Sequence, residues 1–166
     1  MALNGLTGFC QAVAKTPLHH AMAGSPALFT SVETIHMATM VLLVGTITMF
    51  DLRLLRIALR SEPVSELASR LLPWAWIAFC IMAVTGTLLF TSDPAAHYCP
   101  NTPFRLKLLL IFLAGVNMSV FHLTTYRSVS KWDRAAEPPV GAKLAGLFSI
   151  LLWASVVVAG RWIGFA

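Results

Sequence analysis

The sequence predicts an all-α integral membrane protein, a four-helix bundle preceded by a short amphipathic helix at the membrane interface. Charged residues make up 11% of the 166 residues and hydrophobic residues 57%, whereas a soluble domain carries about 25% charged residues. Four mainly apolar segments cover residues 31–55, 71–91, 104–126 and 143–165. Each has the roughly 20 residues that a helix needs to cross the hydrocarbon core of a lipid bilayer. We expect them to form one transmembrane domain over residues 1–166.

Residues 4–24 predict the interfacial helix. Phe9, Cys10 and Val13 recur at helical spacing, which gives this segment one apolar face. Lys15 and Pro17 interrupt its apolar run, unlike the core of a signal peptide or a fifth span. We expect Pro17 to break the helix and Ser25-Pro26 to start the turn into the first span.

Basic residues near the span ends predict the orientation. Eight of the 12 Lys and Arg residues lie on the side of the first-to-second and third-to-fourth connections. Because cytoplasmic loops collect Lys and Arg, both termini are predicted on the periplasmic side of a bacterial inner membrane. Cys10 and Cys99 share that side, where a disulfide is permitted. The sequence lacks the interleaved basic and aromatic patch of a nucleic-acid binder.

Two histidines lie inside apolar segments, His36 in the first span and His122 in the third. An ionisable side chain at bilayer depth costs about 2.5 kcal/mol or more without a partner, and histidine is a common haem-iron ligand. At 1.5 Å per residue, the depths of the two histidines differ by about 15 Å. The axial ligands of one haem lie at almost one level, so we expect two separate polar sites.

The outer site is predicted around His36, with Glu33 one turn earlier and Arg161 at the end of the fourth span. In a haem b site, His36 would be an axial ligand, and the planar fork of Arg161 would bind a propionate. The candidates for the second haem ligand are His97, His20 and Met82. Together with His36, the same residues are the candidate copper ligands. Alternatively, Glu33, His36 and Arg161 neutralise one another as a structural group.

The inner site is predicted around Asp51, Arg53, His122 and Tyr126, near the cytoplasmic boundary. A structural interpretation pairs the Asp51 and His122 side chains and so locks the first and third spans together. The alternatives are a second haem or a polar pocket that binds a quinol.

Several motifs run through the chain: Glu33-x-x-His36, Gly45 with Asp51 to Leu55, Phe104-Arg105-x-Lys107, Asn117, Phe121-His122, and Gly160 to Ile163. In these motifs the chain resembles a family of small four-helix bacterial inner-membrane proteins of unknown function. The third span is more distantly similar to copper-resistance membrane domains. The resemblance implies the fold and assigns no activity.

The leading functional hypothesis is haem b binding for electron transfer, with a quinone or a redox protein as partner. The alternatives are copper or other metal handling at the periplasmic face, and a structural or accessory subunit without a cofactor. Neither hydrolytic nor nucleotide chemistry is expected, since the sequence lacks the corresponding motifs. Small residues permit close contacts between membrane helices, which we expect within the bundle at Gly45, Gly86, Gly115 and Gly146. We also expect a homo-oligomer. The α-helical stripe Gly146, Ser149, Trp153 and Gly160 of the fourth span could seat the neighbouring copy or pack inside the protomer.

Overall fold

A computed structural model describes residues 2–135 and 137–165. Its α-helices are α1 (Ala2–Val13), α2 (Pro17–Gly24), α3 (Pro26–Leu54), α4 (Val64–Ser92), α5 (Thr102–Leu123) and α6 (Val140–Trp162). A π turn follows α4 at Pro94–Tyr98, and 3-10 turns follow α5 at Tyr126–Lys131 and α6 at Ile163–Phe165. Helices α3 to α6 are long and apolar enough to cross a membrane. The predicted all-α membrane bundle is confirmed, and the chain is a multi-pass membrane protein.

The N-terminal segment folds as two short helices with a break at Pro17. The Thr16 hydroxyl accepts a hydrogen bond from the backbone N–H of His19 and so caps α2. Ser25 caps α3 in the same way, by accepting from Leu28 N–H. Proline fits directly after each cap because a first-turn N–H has no partner within its helix. Helix α3 therefore starts at Pro26, earlier than the predicted apolar span.

We call the end of the bundle that carries the termini and the α4–α5 connection the outer end, and the opposite end the inner end. At the outer end, a disulfide joins Cys10 of α1 to Cys99. The Arg105 guanidinium donates from Nε and Nη2 to the Cys99 carbonyl, at 3.0 and 2.7 Å. Helix α2 packs against α4, and His19 Nδ1 lies 2.8 Å from the Thr91 carbonyl oxygen. The two N-terminal helices are thus fixed to the outer end.

At the inner end, the loop between α5 and α6 caps the first turn of α4. The backbone N–H and the hydroxyl of Ser65 each donate to the Asp133 carboxylate, at 2.7 Å. Burial raises the pKa of Asp133, but the bonds from Ser65 and Val64 outweigh that effect and hold this pKa below its ordinary value. Arg53, only 1% exposed, donates from Nε to the Glu62 carbonyl at 2.7 Å. This network explains why α4 starts at Val64, before the predicted apolar span.

The four spans pack as two hairpins, α3 with α4 and α5 with α6, which meet mainly through α3 and α6. Helix α5 makes only marginal backbone contact with α3 and α4. Two clusters of buried side chains fill the interior. The cluster at the inner end contains Phe50, Leu54, Val64, Leu67, Ala68, Phe121, Trp132 and Ala142. The cluster nearer the outer end contains Leu43, Ala75, Ala78, Met82, Ala114, Trp153 and Val156.

Two of the four glycines predicted to permit close helix approach do so. A Cβ at Gly146 would lie 3.2 Å from the Asp51 carbonyl oxygen, and one at Gly86 would lie 3.2 Å from Cε1 of His36. The prediction is wrong for Gly45 and Gly115, where a Cβ would meet no atom within 4 Å.

The small-residue stripe of α6 faces the interior of the protomer. Gly146 contacts α3, and Ser149 and Trp153 are buried. Gly146, Ser149 and Trp153 therefore offer no surface to a second copy of the chain. The homo-oligomer remains a prediction, but these residues no longer support it.

Candidate functional site

The first candidate site surrounds His36, which α3 directs toward α4. Nδ1 of His36 lies 2.8 Å from the Thr85 hydroxyl oxygen. The Thr85 hydroxyl oxygen also lies 2.8 Å from the Ile81 carbonyl oxygen. When the hydroxyl donates its one hydrogen to Ile81, it accepts from Nδ1 of His36, which then carries the hydrogen. In a neutral imidazole, this tautomer leaves a free lone pair on Nε2.

Two glycines and a lysine complete the surroundings of His36. Gly86 follows Thr85 on α4 and has no side chain to collide with the imidazole ring. Lys107, on α5, acts electrostatically on His36. A Cβ at Gly160 would lie 3.1 Å from Nζ of Lys107, so this glycine of α6 makes room for the ammonium group. Direct contacts with the His36 ring thus come from α4, at Thr85 and Gly86.

The other charged residues expected at this site lie at the outer end but do not pair. Glu33 is half-buried and acts electrostatically on Tyr98. Arg161 is exposed, with its guanidinium carbon 5.2 Å from the Phe165 ring centroid. The two ion pairs found among residues 2–135 and 137–165 are Glu66–Arg70 and Glu137–Lys143. The neutralising group of Glu33, His36 and Arg161 is therefore not formed there.

The candidate second ligands are spread over the outer end and the core. His20 is exposed, and its ring meets the His19 ring edge-on. His97 is half-buried against the Tyr98 ring. Met82 is buried in the core about one turn along α4 from Thr85. The described part of the chain holds no group of three or more His, Cys, Asp and Glu side chains that could bind a metal ion.

The second candidate site is a cavity of about 640 Å³ toward the inner end, which we call the inner cavity. Side chains from α3, α4, α5 and α6 line it, and it occupies the gap that α5 leaves beside α3 and α4. Most of the lining is apolar, with polar groups at Asp51, Asn117, Ser119, His122 and Ser149. Trp76 and Phe112 line the cavity and are exposed on the outer surface of their spans. The cavity therefore opens sideways, toward lipid.

Asp51 is the most deeply buried polar group of the inner cavity, at 4% exposure. Ser149 of α6 lines the cavity beside the Asp51 carboxyl group. The carboxyl oxygen Oδ2 has no hydrogen-bond partner among the described residues. The buried carboxyl group thus has capacity to accept a hydrogen bond.

His122 lines the same cavity from α5 but does not bond Asp51. Its Nδ1 lies 3.0 Å from the Met118 carbonyl oxygen. Because a carbonyl oxygen only accepts, Nδ1 carries the hydrogen and Nε2 is the acceptor in a neutral ring. The structure brings His122 and Asp51 to one cavity and leaves His36 at a separate site.

Residues 17–166 match DUF6644, a family of unknown function. The chain belongs to the DUF6644 family. No curated protein and no solved structure matches the sequence. The family match covers α2 to α6 and both candidate sites, and it confirms the resemblance that the motifs indicated.

Several motif residues of this DUF6644 protein meet in the fold. Lys107 of the Phe-Arg-x-Lys motif lies against Gly160 of the closing Gly-Arg-Trp-Ile motif. Asn117 donates from Nδ2 to the Ala145 carbonyl at 3.0 Å, which links α5 to α6. Phe121 packs edge-to-face on Phe50, next to Asp51. The motifs thus hold helix contacts as well as both candidate sites.

Sequence reasoning missed Thr85, Lys107 and Ser149 as site residues. Lys107 served for the orientation and for a family motif but was not assigned to a site, although a lysine inside an apolar span is itself a signal of a buried partner. Thr85 and Ser149 carry no such signal, because hydroxyl side chains are common in membrane helices and satisfy themselves on the preceding turn.

Proposed function

We propose that this DUF6644 protein binds haem b and transfers electrons in the membrane, with His36 as an axial ligand. The observation that carries the proposal is the hydrogen bond between Nδ1 of His36 and the Thr85 hydroxyl. A metal-bound histidine usually donates its second ring N–H to a neighbouring acceptor, which fixes the tautomer and the ring orientation. His36 has that arrangement, with Nε2 left as the ligating atom. Bound haem would supply reversible one-electron chemistry.

The surroundings of His36 support an anionic cofactor. Lys107 lies close enough to act on the imidazole electrostatically, and Arg161 is at the same end of the bundle with an exposed guanidinium. Both cations suit the carboxylates of a haem propionate. For the second ligand we propose His97 or His20, whose rings meet the neighbouring rings of Tyr98 and His19 edge-on.

We propose a quinol as the electron source and the bacterial inner membrane as the location, with both termini in the periplasm. The excess of basic residues at the inner end supports this orientation. The Cys10–Cys99 disulfide at the outer end supports it independently, since disulfides persist in oxidising compartments. A reporter that is active only in the cytoplasm, fused after Ala166, should be silent. A strong signal from this fusion would overturn the orientation.

Absorption spectroscopy of the purified protein tests the haem proposal. In mild detergent, with added haemin to replace any haem lost, the protein should show a Soret band that shifts and sharpens with dithionite. His36→Ala should lose this band, and Thr85→Val should weaken haem binding by about 10- to 100-fold. His122→Ala is the matched control and should keep the spectrum, because His122 lies in the inner cavity.

Two other results would reject the haem proposal. Stoichiometric copper, without haem binding, would favour metal handling at the outer end. Neither haem nor copper, even after each is added to the purified protein, would favour a structural or accessory subunit.

A further inference from the structure

We infer that the inner cavity is the binding site of a membrane quinol, an aromatic ring with two hydroxyl groups on a long apolar tail. This assignment rests on the proposed function for the redox role of the ligand. Binding of the quinol ring requires only the residues of the inner cavity, which does not include His36.

The size and the opening of the cavity suit a ligand that arrives through lipid. Its volume of about 640 Å³ falls within the range of roughly 300–1,000 Å³ that is typical of small-molecule pockets. Trp76 of α4 and Phe112 of α5 stand at its rim with more than half of their surface exposed. At this depth in a span, that surface faces acyl chains. A ring can enter between α4 and α5 while its tail stays in the bilayer.

The polar groups of the inner cavity suit a ligand that donates hydrogen bonds. Oδ2 of Asp51 is buried and has no partner within the described residues, and a buried acceptor without a donor is costly. Nε2 of His122 is a second acceptor, because Nδ1 is committed to the Met118 carbonyl. Asp51 and His122 thus bring a buried carboxyl group without a partner and an imidazole acceptor to the cavity from two different helices. A quinol carries two O–H donors at opposite ends of its ring, whereas the oxidised quinone carries none.

The lining also distinguishes a quinol from the other lipids of the membrane. No Lys or Arg side chain is among the lining residues, so a phosphate headgroup would lack a cation to pair with. Phe50, Phe121 and Trp153 contribute aromatic surface, which favours a flat aromatic ring. An isoprenoid alcohol would satisfy one acceptor and leave the second without a donor.

The binding test uses a short-tailed benzoquinol, kept reduced under nitrogen, and the full chain in phosphatidylcholine nanodiscs. Binding is followed by quenching of tryptophan fluorescence, since Trp76 and Trp153 line the cavity. We expect saturable quenching, with an affinity about tenfold weaker for the quinone than for the quinol. Asp51→Leu and His122→Phe should each weaken quinol binding by about tenfold, since each removes one acceptor.

A pair of glycine variants tests the cavity without touching its polar groups. Gly115 lines the cavity, and a Cβ there meets no atom within 4 Å, so Gly115→Phe should fill the space and abolish quinol binding. Gly45 is equally open but lies outside the lining, so Gly45→Phe should bind as the wild type does. His36→Ala should also keep quinol binding, so a failure of the haem proposal is seen separately.

Three results would overturn the assignment. The first is a lack of saturable quenching of the wild type by the quinol. The second is equal binding by the wild type and Gly115→Phe, with the fold of the variant verified by its helical circular dichroism. The third is an isoprenoid alcohol that binds as tightly as the quinol, which would assign the cavity to hydroxylated lipids in general.

Discussion

The hydrogen bond between His36 and Thr85 predicts a measurable coupling between α3 and α4. Thr85→Val replaces the hydroxyl with a methyl group of nearly the same shape and leaves Nδ1–H of His36 without its acceptor. The variant also removes the bond from the Thr85 hydroxyl to the Ile81 carbonyl. A double-mutant cycle with His36→Leu separates the two effects, because the bond to Ile81 is lost equally in both backgrounds.

The expected coupling free energy is about 1 kcal/mol. Hydrogen bonds between membrane helices average about 0.6 kcal/mol in such cycles and reach about 1.7 kcal/mol. We place this bond above the average, because its distance of 2.8 Å is short for a ring nitrogen and a hydroxyl oxygen. A coupling of about 1 kcal/mol corresponds to roughly a fivefold change in the unfolding equilibrium.

The assay is reversible unfolding of the haem-free protein by sodium dodecyl sulfate in mixed micelles, followed by circular dichroism. The wild type, both single variants and the double variant are measured under identical conditions. Thr85→Ser is the matched control and should retain the coupling, since it keeps the hydroxyl. A coupling energy within about 0.3 kcal/mol of zero, the usual additivity error, would refute the bond as a stabilising contact.

Three further predictions concern the bundle and its ends. Gly146→Ala should lower the free energy of unfolding by about 1–3 kcal/mol, because its Cβ meets the α3 backbone. Gly45 faces open space, so Gly45→Ala is the control and should be neutral or stabilising by up to about 1 kcal/mol. Equal losses of unfolding free energy in the two variants would contradict the close approach of α6 to α3. Asp133→Ala should cost about 1 kcal/mol at neutral pH through the lost cap of α4. Folding lowers the pKa of Asp133 below 3.8. The stabilisation by the Asp133 carboxylate is therefore present above pH 3.8 and disappears as the pH falls through the folded-state pKa. If the stability difference between the wild type and Asp133→Ala persisted undiminished below that pKa, the carboxylate would be excluded as its cause. Cys10→Ser should lower the free energy of unfolding by about 2–4 kcal/mol. Cys80 of α4 is exposed and outside the disulfide, so Cys80→Ser is the control and should not lower it. Maleimide labelling of three thiols in unreduced, denatured protein would argue against the disulfide.

The fold was predictable because it follows from composition and segment length. Four apolar segments long enough to span a bilayer have few alternatives to a helical bundle. The capping residues Thr16 and Ser25 and the prolines after them also act locally, so the start of α3 was foreseeable. The start of α4 was not, because its cap, Asp133, lies 68 residues along the chain from Ser65.

The candidate sites were predictable only in part. The sequence predicted His36 and Asp51 at two separate polar sites, and the structure directs both side chains into the bundle. The partners Thr85 and Ser149 depend on the rotation of α4 and α6 about their axes, which uncharged apolar sequences leave open. The inner cavity arises because α5 packs on α6 and hardly on α4, and a missing contact has no local sequence signal. Gly45 and Gly115 show the same limit, since a small residue permits a close contact without requiring one.

The sideways opening of the inner cavity determines how its occupancy is controlled. At the outer end, the hydrogen bonds from Arg105 to the Cys99 carbonyl hold the connection between α4 and α5. At the inner end, Asp133 connects the loop between α5 and α6 to the start of α4. Between these two ties, the cavity meets the acyl chains. A ligand there competes with every lipid that diffuses past the gap, so its occupancy follows its mole fraction in that part of the bilayer and not an aqueous concentration. A cell that changes the composition of its membrane would thereby change the occupancy of this site without altering the protein.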